Sequence, residues 1–261
     1  MLQRFFGCVL LLLAASQVQA DRIAKRLEQE VTYFDQSTEC KGYTAYLPGN
    51  KRLPVVLILP EWWGCGEYVK MRAKQLADEG YYAFAIDMYG EGKQAETPEE
   101  AGKLASPFYQ NGAMANQRIQ AAIDFVKKQT MADPSNINAI GFCFGGGLAL
   151  NAARTGIKFK HVISFHGNLM PQKFKSGSVS SKILVCNGEA DEFVSKASIT
   201  AFKKEMKNGK VKFTFINYKN ATHAFTNPHA TETGKKFNLP IAYNQEAAMK
   251  AWQDMLLFLK K

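Results

Sequence analysis

Residues 137–147 read INAIGFCFGGG, a short apolar run that leads into a glycine-rich turn. Gly141 and Gly145 flank Cys143 at two-residue spacing, which is typical of a nucleophile elbow. In such a strand-to-helix turn the nucleophile takes a strained backbone conformation, and its neighbours two residues away must lack side chains to avoid collision. The N–H groups of the following helix would point at Cys143 and favour its thiolate. The stretch therefore predicts an α/β fold with Cys143 as nucleophile.

Two other interpretations of this turn are a buried structural cysteine and a loop that cradles phosphate. A phosphate loop would carry the pattern G-x-x-x-x-G-K-[ST] or G-x-G-x-x-G. Neither pattern occurs at residues 137–147. The elbow remains the better interpretation, because a strand pattern precedes Cys143 and a helix pattern follows it.

Apolar runs and helical stripes alternate on both sides of the elbow. Strands are predicted at residues 31–34, 43–47, 55–59, 82–86, 137–140, 161–165, 183–186 and 212–218. Helices are predicted at residues 67–79, 98–105, 114–128, 196–207 and 244–259, with a further one from the elbow to about Arg154. This alternation with short connections predicts one α/β domain with an open, mostly parallel sheet and helices on both faces. Eight equivalent units that would close a barrel are not evident.

Composition excludes several classes of protein. The 261 residues are 46% hydrophobic and 21% charged, which indicates a globular protein rather than a disordered one. The net charge is +10, but the basic residues are dispersed along the chain, whereas a nucleic-acid binder concentrates them in a patch. Five cysteines are too few for a disulfide scaffold. No nucleic-acid partner is expected, and a monomer is the default.

The first twenty residues, MLQRFFGCVLLLLAASQVQA, have the pattern of a secretory signal peptide. Arg4 precedes a short apolar stretch, and small residues end at Ala20, where cleavage is expected. An uncleaved membrane anchor is the alternative, although the apolar stretch is short for a spanning helix. We therefore expect residues 1–20 to be removed, leaving residues 21–261 as a single α/β domain that is exported, either periplasmic or secreted, without stable membrane insertion.

Ligands of open α/β sheets bind at the carboxyl ends of the strands, so these ends hold the candidate site residues. Asp191 follows the strand at 183–186, and His223 follows the strand at 212–218. Together with Cys143 they have the order nucleophile, acid, histidine that elbow hydrolases use. A solvated acidic loop is the alternative for Asp191, and His166 is the second candidate for the histidine because it also ends a strand.

The loop after the strand at 55–59 reads PEWWGCG. In an elbow hydrolase this loop supplies one backbone N–H of the oxyanion hole, and the residue after the nucleophile supplies the other. Those residues are Trp62 and Phe144. Glu61 would then lie beside Cys143, where a carboxylate could change the protonation of the thiol.

The sequence resembles the dienelactone hydrolase family of α/β-hydrolases. The matching segments are PEWWGCGEYVKMRAKQLADEGYYAFAIDMYGEG, GFCFGGG, NGEADEFV, THAFTNP and the AYN of residues 242–244, so the resemblance extends from about Val31 to Lys260. It implies an α/β-hydrolase fold and a Cys143–His223–Asp191 triad, with Glu61 binding the resting thiol and assisting its conversion to thiolate. It also implies cleavage of an ester or lactone through an acyl-thioester.

Two positions depart from the family pattern. Family members that act on dienelactone hold its carboxylate with two arginines, and the matching positions here are Glu91 and Asn227. The resemblance therefore implies a small-molecule ester, lactone or thioester as substrate, with dienelactone itself not expected.

Two other classes of function are alternatives to a hydrolase. A non-catalytic binding or accessory protein on the same fold is the main alternative, although it would have no reason to keep Cys143, Asp191 and His223. A thiol redox function is disfavoured because the sequence has no C-x-x-C motif. No cofactor or metal is expected. Cys40, Cys65 and Cys186 can form at most one disulfide among them, and we expect free thiols.

Overall fold

The computed structural model describes residues 25–261, so the predicted signal peptide lies outside the described residues. Within that range the strands are β1 (Leu27–Asp35), β2 (Thr38–Tyr46), β3 (Leu53–Leu59), β4 (Tyr82–Ala85), β5 (Ala132–Phe142), β6 (His161–Phe165), β7 (Lys182–Gly188) and β8 (Phe213–Tyr218). They form one sheet in the order β1-β2-β4-β3-β5-β6-β7-β8. β2 pairs antiparallel with β1 and β4, and all other pairs in the sheet are parallel. The predicted α/β-hydrolase fold with a mostly parallel sheet is confirmed.

The helices alternate with the strands as predicted. They are α1 (Glu67–Asp78), α2 (Pro98–Gln110), α3 (Gly112–Lys127), α4 (Phe144–Arg154), α5 (Lys196–Asn208), α6 (Ala230–Phe237) and α7 (Gln245–Leu259). Asn244 caps α7 by accepting from the backbone N–H of Ala247, and a Thr97–Glu100 capping box begins α2. Of these helices, α6 is the one that is not among the predicted helices.

Helices cover both faces of the sheet, as the strand pattern requires. Alternate residues of β3 point to opposite sides, so Leu57 belongs to one core and Ile58 to the other. Helices α2 to α5 pack on the Leu57 side, whereas α1 and α7 pack on the Ile58 side. Because both faces are buried, the central strands read as continuous apolar runs.

The edge of the sheet differs from its centre. β1 and β2 each extend over nine residues, longer than the predicted runs at 31–34 and 43–47. Most of β1 is exposed, and residues such as Glu28 and Glu30 lie within it. An exposed edge strand keeps its ladder hydrogen bonds while carrying polar side chains, so hydrophobicity alone underestimates its length.

The described cysteines are free thiols, and Cys40, Cys65 and Cys186 are buried. Burial raises the pKa of Cys65 and of Cys186 to about 12, which makes both thiols unreactive near neutral pH. Cys143 is the one described cysteine that is not fully buried. Nowhere between residues 25 and 261 is there a helix long and apolar enough to cross a bilayer.

Candidate active site

Cys143 lies at the turn between β5 and α4, with φ of 51° and ψ of −114°. A positive φ at a residue other than glycine costs about 1–3 kcal/mol and persists where the surroundings enforce it. The two flanking glycines are part of that enforcement. A Cβ on Gly141 would lie 2.1 Å from the carbonyl oxygen of Gly145, and one on Gly145 would lie 2.4 Å from that of Leu59. Only glycine fits at either position.

Asp191 and His223 meet Cys143 at this edge of the sheet. His223 Nδ1 lies 2.9 Å from Asp191 Oδ2, and the Asp191 side chain is fully buried. The Cys143 thiol lines the same pocket as His223 and is one of the two neighbours that raise the pKa of the imidazole. The backbone N–H of Phe193 donates to Asp191 Oδ1 at 2.9 Å and fixes the carboxylate. Cys143, Asp191 and His223 thus come together at the carboxyl ends of β5, β7 and β8.

The electrostatics of His223 follow from these two neighbours. Burial opposes its protonation, but the Cys143 sulfur and the Asp191 carboxylate outweigh burial and raise the pKa of His223 to about 10. A protonated imidazole is therefore the favoured form of His223 near neutral pH.

Trp62 and Phe144 line the same pocket as Cys143. Phe144 is the first residue of α4, where backbone N–H groups have no partner within the helix. Within residues 25–261, neither the Trp62 N–H nor the Phe144 N–H donates to another protein group. The loop is held in place by Tyr89, whose hydroxyl donates to the Trp62 carbonyl at 2.7 Å, and by Gly145 N–H, which donates to the Pro60 carbonyl at 3.0 Å.

Glu61 is buried, with 4% of its surface exposed, and its carboxyl group lines the same pocket as Cys143. Its Oε2 accepts a hydrogen bond of 2.7 Å from Asn227 Nδ2. Burial raises the pKa of Glu61 to about 7, against the opposing influences of Asn227, His223 and Arg72. Glu61 therefore changes charge near neutral pH beside the thiol.

His166, the second candidate for the histidine, lies behind the elbow instead of in the pocket. The backbone N–H of Cys143 donates to His166 Nδ1 at 3.1 Å, so the imidazole proton is on Nε2, which lies 2.7 Å from Thr226 Oγ1. Thr226 Oγ1 in turn contacts the Tyr68 hydroxyl at 2.7 Å. Burial, together with the charges of His223 and Arg72, holds the pKa of His166 well below its usual value. His166 is thus a neutral support of the elbow backbone.

The site opens into a cavity of about 260 Å³. Its lining is largely aromatic and aliphatic and includes Cys143, His223 and Glu61. Phe193 packs edge-on against the His223 ring with centroids 5.0 Å apart. Among the described residues, no group of three or more metal-binding side chains is found.

The residues predicted from the strand ends therefore converge, and the structure adds others. Cys143, His223, Glu61, Trp62 and Phe144 all line the pocket, and Asp191 lies behind His223. Sequence reasoning missed Tyr89, Thr226 and the Glu61–Asn227 hydrogen bond. The sequence carries no signal for these contacts, because each joins loops that are far apart in the chain.

The elbow, the sheet order and the acid–histidine pair at the strand ends define an enzyme of the α/β-hydrolase class. The family model described as "Dienelactone hydrolase family" matches residues 41–261. The chain belongs to the dienelactone hydrolase family, and its class is that of hydrolases acting on ester or lactone bonds. Membership favours an enzyme over the accessory-protein alternative.

Individual relatives agree with this assignment. The chain is 32% identical over 245 residues to the protein usf of Aquifex pyrophilus, covering 89% of this chain and 98% of that one. It is 30% identical over 240 residues to an Aquifex aeolicus protein provisionally named a carboxymethylenebutenolidase, with coverage of 89% and 97%. The crystal structure of a dienelactone hydrolase-like promiscuous phosphotriesterase from metagenomic libraries superposes with a TM-score of 0.84 at 32% identity, covering 90% and 98% of the two chains.

Proposed function

We propose that the protein is an exported hydrolase that cleaves ester, lactone or thioester bonds through a Cys143–His223–Asp191 triad and a covalent acyl-thioester. The observation that carries the proposal is that Cys143 and His223 line one pocket, with His223 Nδ1 2.9 Å from Asp191 Oδ2 behind it. The substrate is a small molecule, and dienelactone itself is not proposed because Asn227 and Glu91 stand where cations would hold its carboxylate.

Acylation begins with attack of the Cys143 thiolate on the substrate carbonyl carbon. As the carbon–sulfur bond forms, the carbonyl electron pair moves to oxygen, which the N–H groups of Trp62 and Phe144 stabilise. Each such donor contributes about 3–4 kcal/mol to the transition state. Collapse of the adduct breaks the bond to the leaving oxygen, and the His223 imidazolium donates a proton to that oxygen.

Deacylation reverses the roles of His223. The neutral imidazole takes a proton from a water molecule, which attacks the thioester carbon. The carbon–sulfur bond then breaks, the carboxylic acid product leaves and the thiolate–imidazolium pair is restored. Asp191 keeps the imidazole in the tautomer that each step requires.

Glu61 has a supporting role in this proposal. As a buried carboxyl group in the pocket with a pKa raised by burial to about 7, it can exchange a proton near neutral pH. We infer that it receives the proton of the resting thiol when substrate arrives and returns it to the sulfur after the product has left. The short hydrogen bond from Asn227 holds the carboxyl group in place for this.

Export by residues 1–20 is part of the proposal and is supported by the sequence pattern alone. The experiment that tests it is mass measurement of the protein recovered from the producing cell after fractionation. We expect a chain that begins at Asp21. Recovery of an intact chain in the membrane fraction would instead favour an uncleaved anchor.

The triad is tested with purified protein and simple esters such as 4-nitrophenyl acetate. We expect Cys143→Ala to abolish turnover, and iodoacetamide to label Cys143 before Cys40, Cys65 or Cys186 near neutral pH. Intact-mass measurement during turnover should show one acyl group on the protein, absent in Cys143→Ala. Turnover that persists in Cys143→Ala would overturn the triad.

A further inference from the structure

The charge of the pocket carries information about the substrate beyond the bond that is cleaved. Of its described lining residues, His223 is the one that can carry positive charge. That charge is already paired with Asp191 at 2.9 Å and with the Cys143 sulfur. A carboxylate that entered with the substrate would find no free cation.

Glu61 adds a negative group to the same pocket. The residue that contacts its carboxyl group is Asn227, a neutral amide. The orientation of that amide is fixed, because Asn227 Oδ1 accepts from the backbone N–H of His229 at 3.0 Å, leaving Nδ2 to face Glu61. Arg72 is not available to the substrate, since its Nη2 donates to the Thr226 carbonyl at 2.7 Å and the guanidinium lies outside the pocket lining.

The walls favour apolar groups. They are formed mainly by Trp62, Trp63, Phe144, Phe193, Leu239 and Ile241. Trp62 and Trp63 meet edge to face with centroids 5.2 Å apart, and Phe193 is 57% exposed at the rim. A cavity of about 260 Å³ has room for an aromatic ring or a short alkyl chain.

An anionic substrate is penalised twice in such a pocket. Its carboxylate loses hydration without gaining a hydrogen-bonding cation, and it approaches the Glu61 carboxyl group. An uncharged substrate of equal size incurs neither penalty and buries apolar surface against the aromatic walls. Exclusion of the wrong charge is a common basis of specificity.

We propose that this site takes uncharged esters or lactones with a compact aromatic or short alkyl group and excludes those that carry a carboxylate. The inference rests on the proposed function, since it concerns the pocket in which that chemistry occurs. The selectivity resides in two features, the Glu61 carboxyl group in the pocket and the neutral Asn227 amide that is its hydrogen-bonding partner.

The first test needs no turnover. Iodoacetamide and iodoacetate are matched in size and differ in charge, and both alkylate a thiolate by forming a carbon–sulfur bond with loss of iodide. We expect the ratio of iodoacetamide to iodoacetate rates at Cys143 to exceed that of free cysteine by about 10-fold or more, the lower end of the cost of burying an unpaired polar group. A ratio equal to that of free cysteine would overturn the inference whether or not the protein hydrolyses esters.

The second test uses turnover. 4-Acetoxybenzamide and 4-acetoxybenzoate are esters of matched shape, neutral and anionic respectively. We expect kcat/KM to be about 100-fold higher for the amide. Equal kcat/KM values for the two esters would overturn the proposed charge selectivity but not the proposed hydrolase activity. Failure to hydrolyse either ester, or simpler neutral ones, would count against the proposed function, while the alkylation ratio would still decide the question of charge.

Two variants test whether Asn227 is responsible for the preference for uncharged substrates. Asn227→Arg introduces a cation beside Glu61, and we expect it to reduce both ratios by about 10-fold. Asn208→Arg, at an exposed residue in the last turn of α5, makes the same change in net charge away from the pocket and should leave both ratios unchanged. Equal responses of the two variants would assign the effect to the general field of the protein and overturn the role of Asn227.

Discussion

Two histidines of this protein lie in ring contact and differ in almost every property. The ring centroids of His166 and His223 are 5.2 Å apart, and the rings meet edge to face. His223 follows β8 and lines the pocket, whereas His166 follows β6 and is fully buried. The pKa of His223 is raised to about 10, because Cys143 and Asp191 outweigh burial. Burial and the neighbouring positive charges of His223 and Arg72 lower the pKa of His166.

The difference shows that partners decide the role of a buried histidine, more than position in the fold does. Both residues stand at the carboxyl end of a parallel strand. His223 has an anionic partner on one side and a thiol on the other, so a proton on its ring is stabilised. His166 has a backbone N–H on one side and a hydroxyl on the other, so its ring stays neutral. One histidine can transfer protons, and the other holds the backbone of the nucleophile.

Removal of His223 is the most severe test of the difference in role between the two histidines. If the two histidines differ as described, His166 cannot replace it, and His223→Ala should lower kcat/KM for a neutral ester by about 100,000-fold. Because Asp191 would then face a cavity without a base, added imidazole should restore part of the rate. Ester hydrolysis, followed with and without imidazole, provides the measurement.

The control for His223→Ala is its thermal unfolding curve. If unfolding stays cooperative, the variant is folded, and the loss of kcat/KM is due to the missing imidazole. A variant that folds and keeps more than about one hundredth of the rate would contradict the assignment of the proton transfers to His223. Since His166 is the other imidazole in contact with the site, such a result would make it the base instead.

The sequence predicts the central part of the fold well because burial on both faces leaves a simple pattern. β3 is an uninterrupted apolar run and β6 is buried along its whole length, and their bounds agree with the prediction to within two residues. α6 was missed for the opposite reason. It is eight residues long, reads ATETGKKF and has only Ala230 and Gly234 fully buried, so no apolar stripe marks it.

The part of the candidate site that sheet topology determines can be predicted from the sequence. Cys143, Asp191 and His223 end parallel strands, and such ends meet at one edge of a sheet. The same rule could not separate His166 from His223, because both end strands. Their roles depend on Thr226, 60 residues from His166, and on Asp191, 32 residues from His223. Hydrogen bonds across such separations depend on loop conformation, which no local pattern encodes.

A second prediction addresses the support that His166 gives to the elbow. His166→Leu keeps a similar volume but removes the acceptor of the Cys143 N–H and the partner of Thr226. We expect the free energy of unfolding to fall by about 1–2 kcal/mol, since the Cys143 N–H also donates to the Phe165 carbonyl at 3.0 Å and is not left unpaired. We also expect kcat to fall about 10-fold with little change in KM, because the thiolate shifts relative to the oxyanion donors.

The matched control is His161→Leu. His161 is also buried, and its Nδ1 lies 2.9 Å from Asn138 Oδ1, but it packs against Phe258 and not against the elbow. The two variants should lose similar amounts of stability, measured by denaturant titration, while only His166→Leu loses kcat. If both variants lose kcat equally, the effect of His166 on catalysis is no more than general destabilisation.

The smallest expected effect concerns pH and the neutral state of the buried histidines. Burial and the charges of Lys160 and Lys182 lower the pKa of His161 to about 4. The unfolded chain takes up a proton on this residue near pH 6.5 and the native state does not, so His161 favours folding above that pH and loses its contribution as pH falls toward 4. Replacement by glutamine, which does not titrate, should therefore cost less stability in acid than at neutral pH.

We expect the difference in free energy of unfolding between the parent protein and His161→Gln to shrink by roughly 1 kcal/mol from pH 7.5 to pH 6. Urea titrations at the two pH values measure it, and comparison with the variant cancels the titration of Glu61, whose raised pKa acts in the opposite direction over this range. The same experiment on His166→Gln should give a change of the same sign. A constant difference, or one that grows in acid, would mean that these rings are protonated in the native state and would remove the contrast with His223.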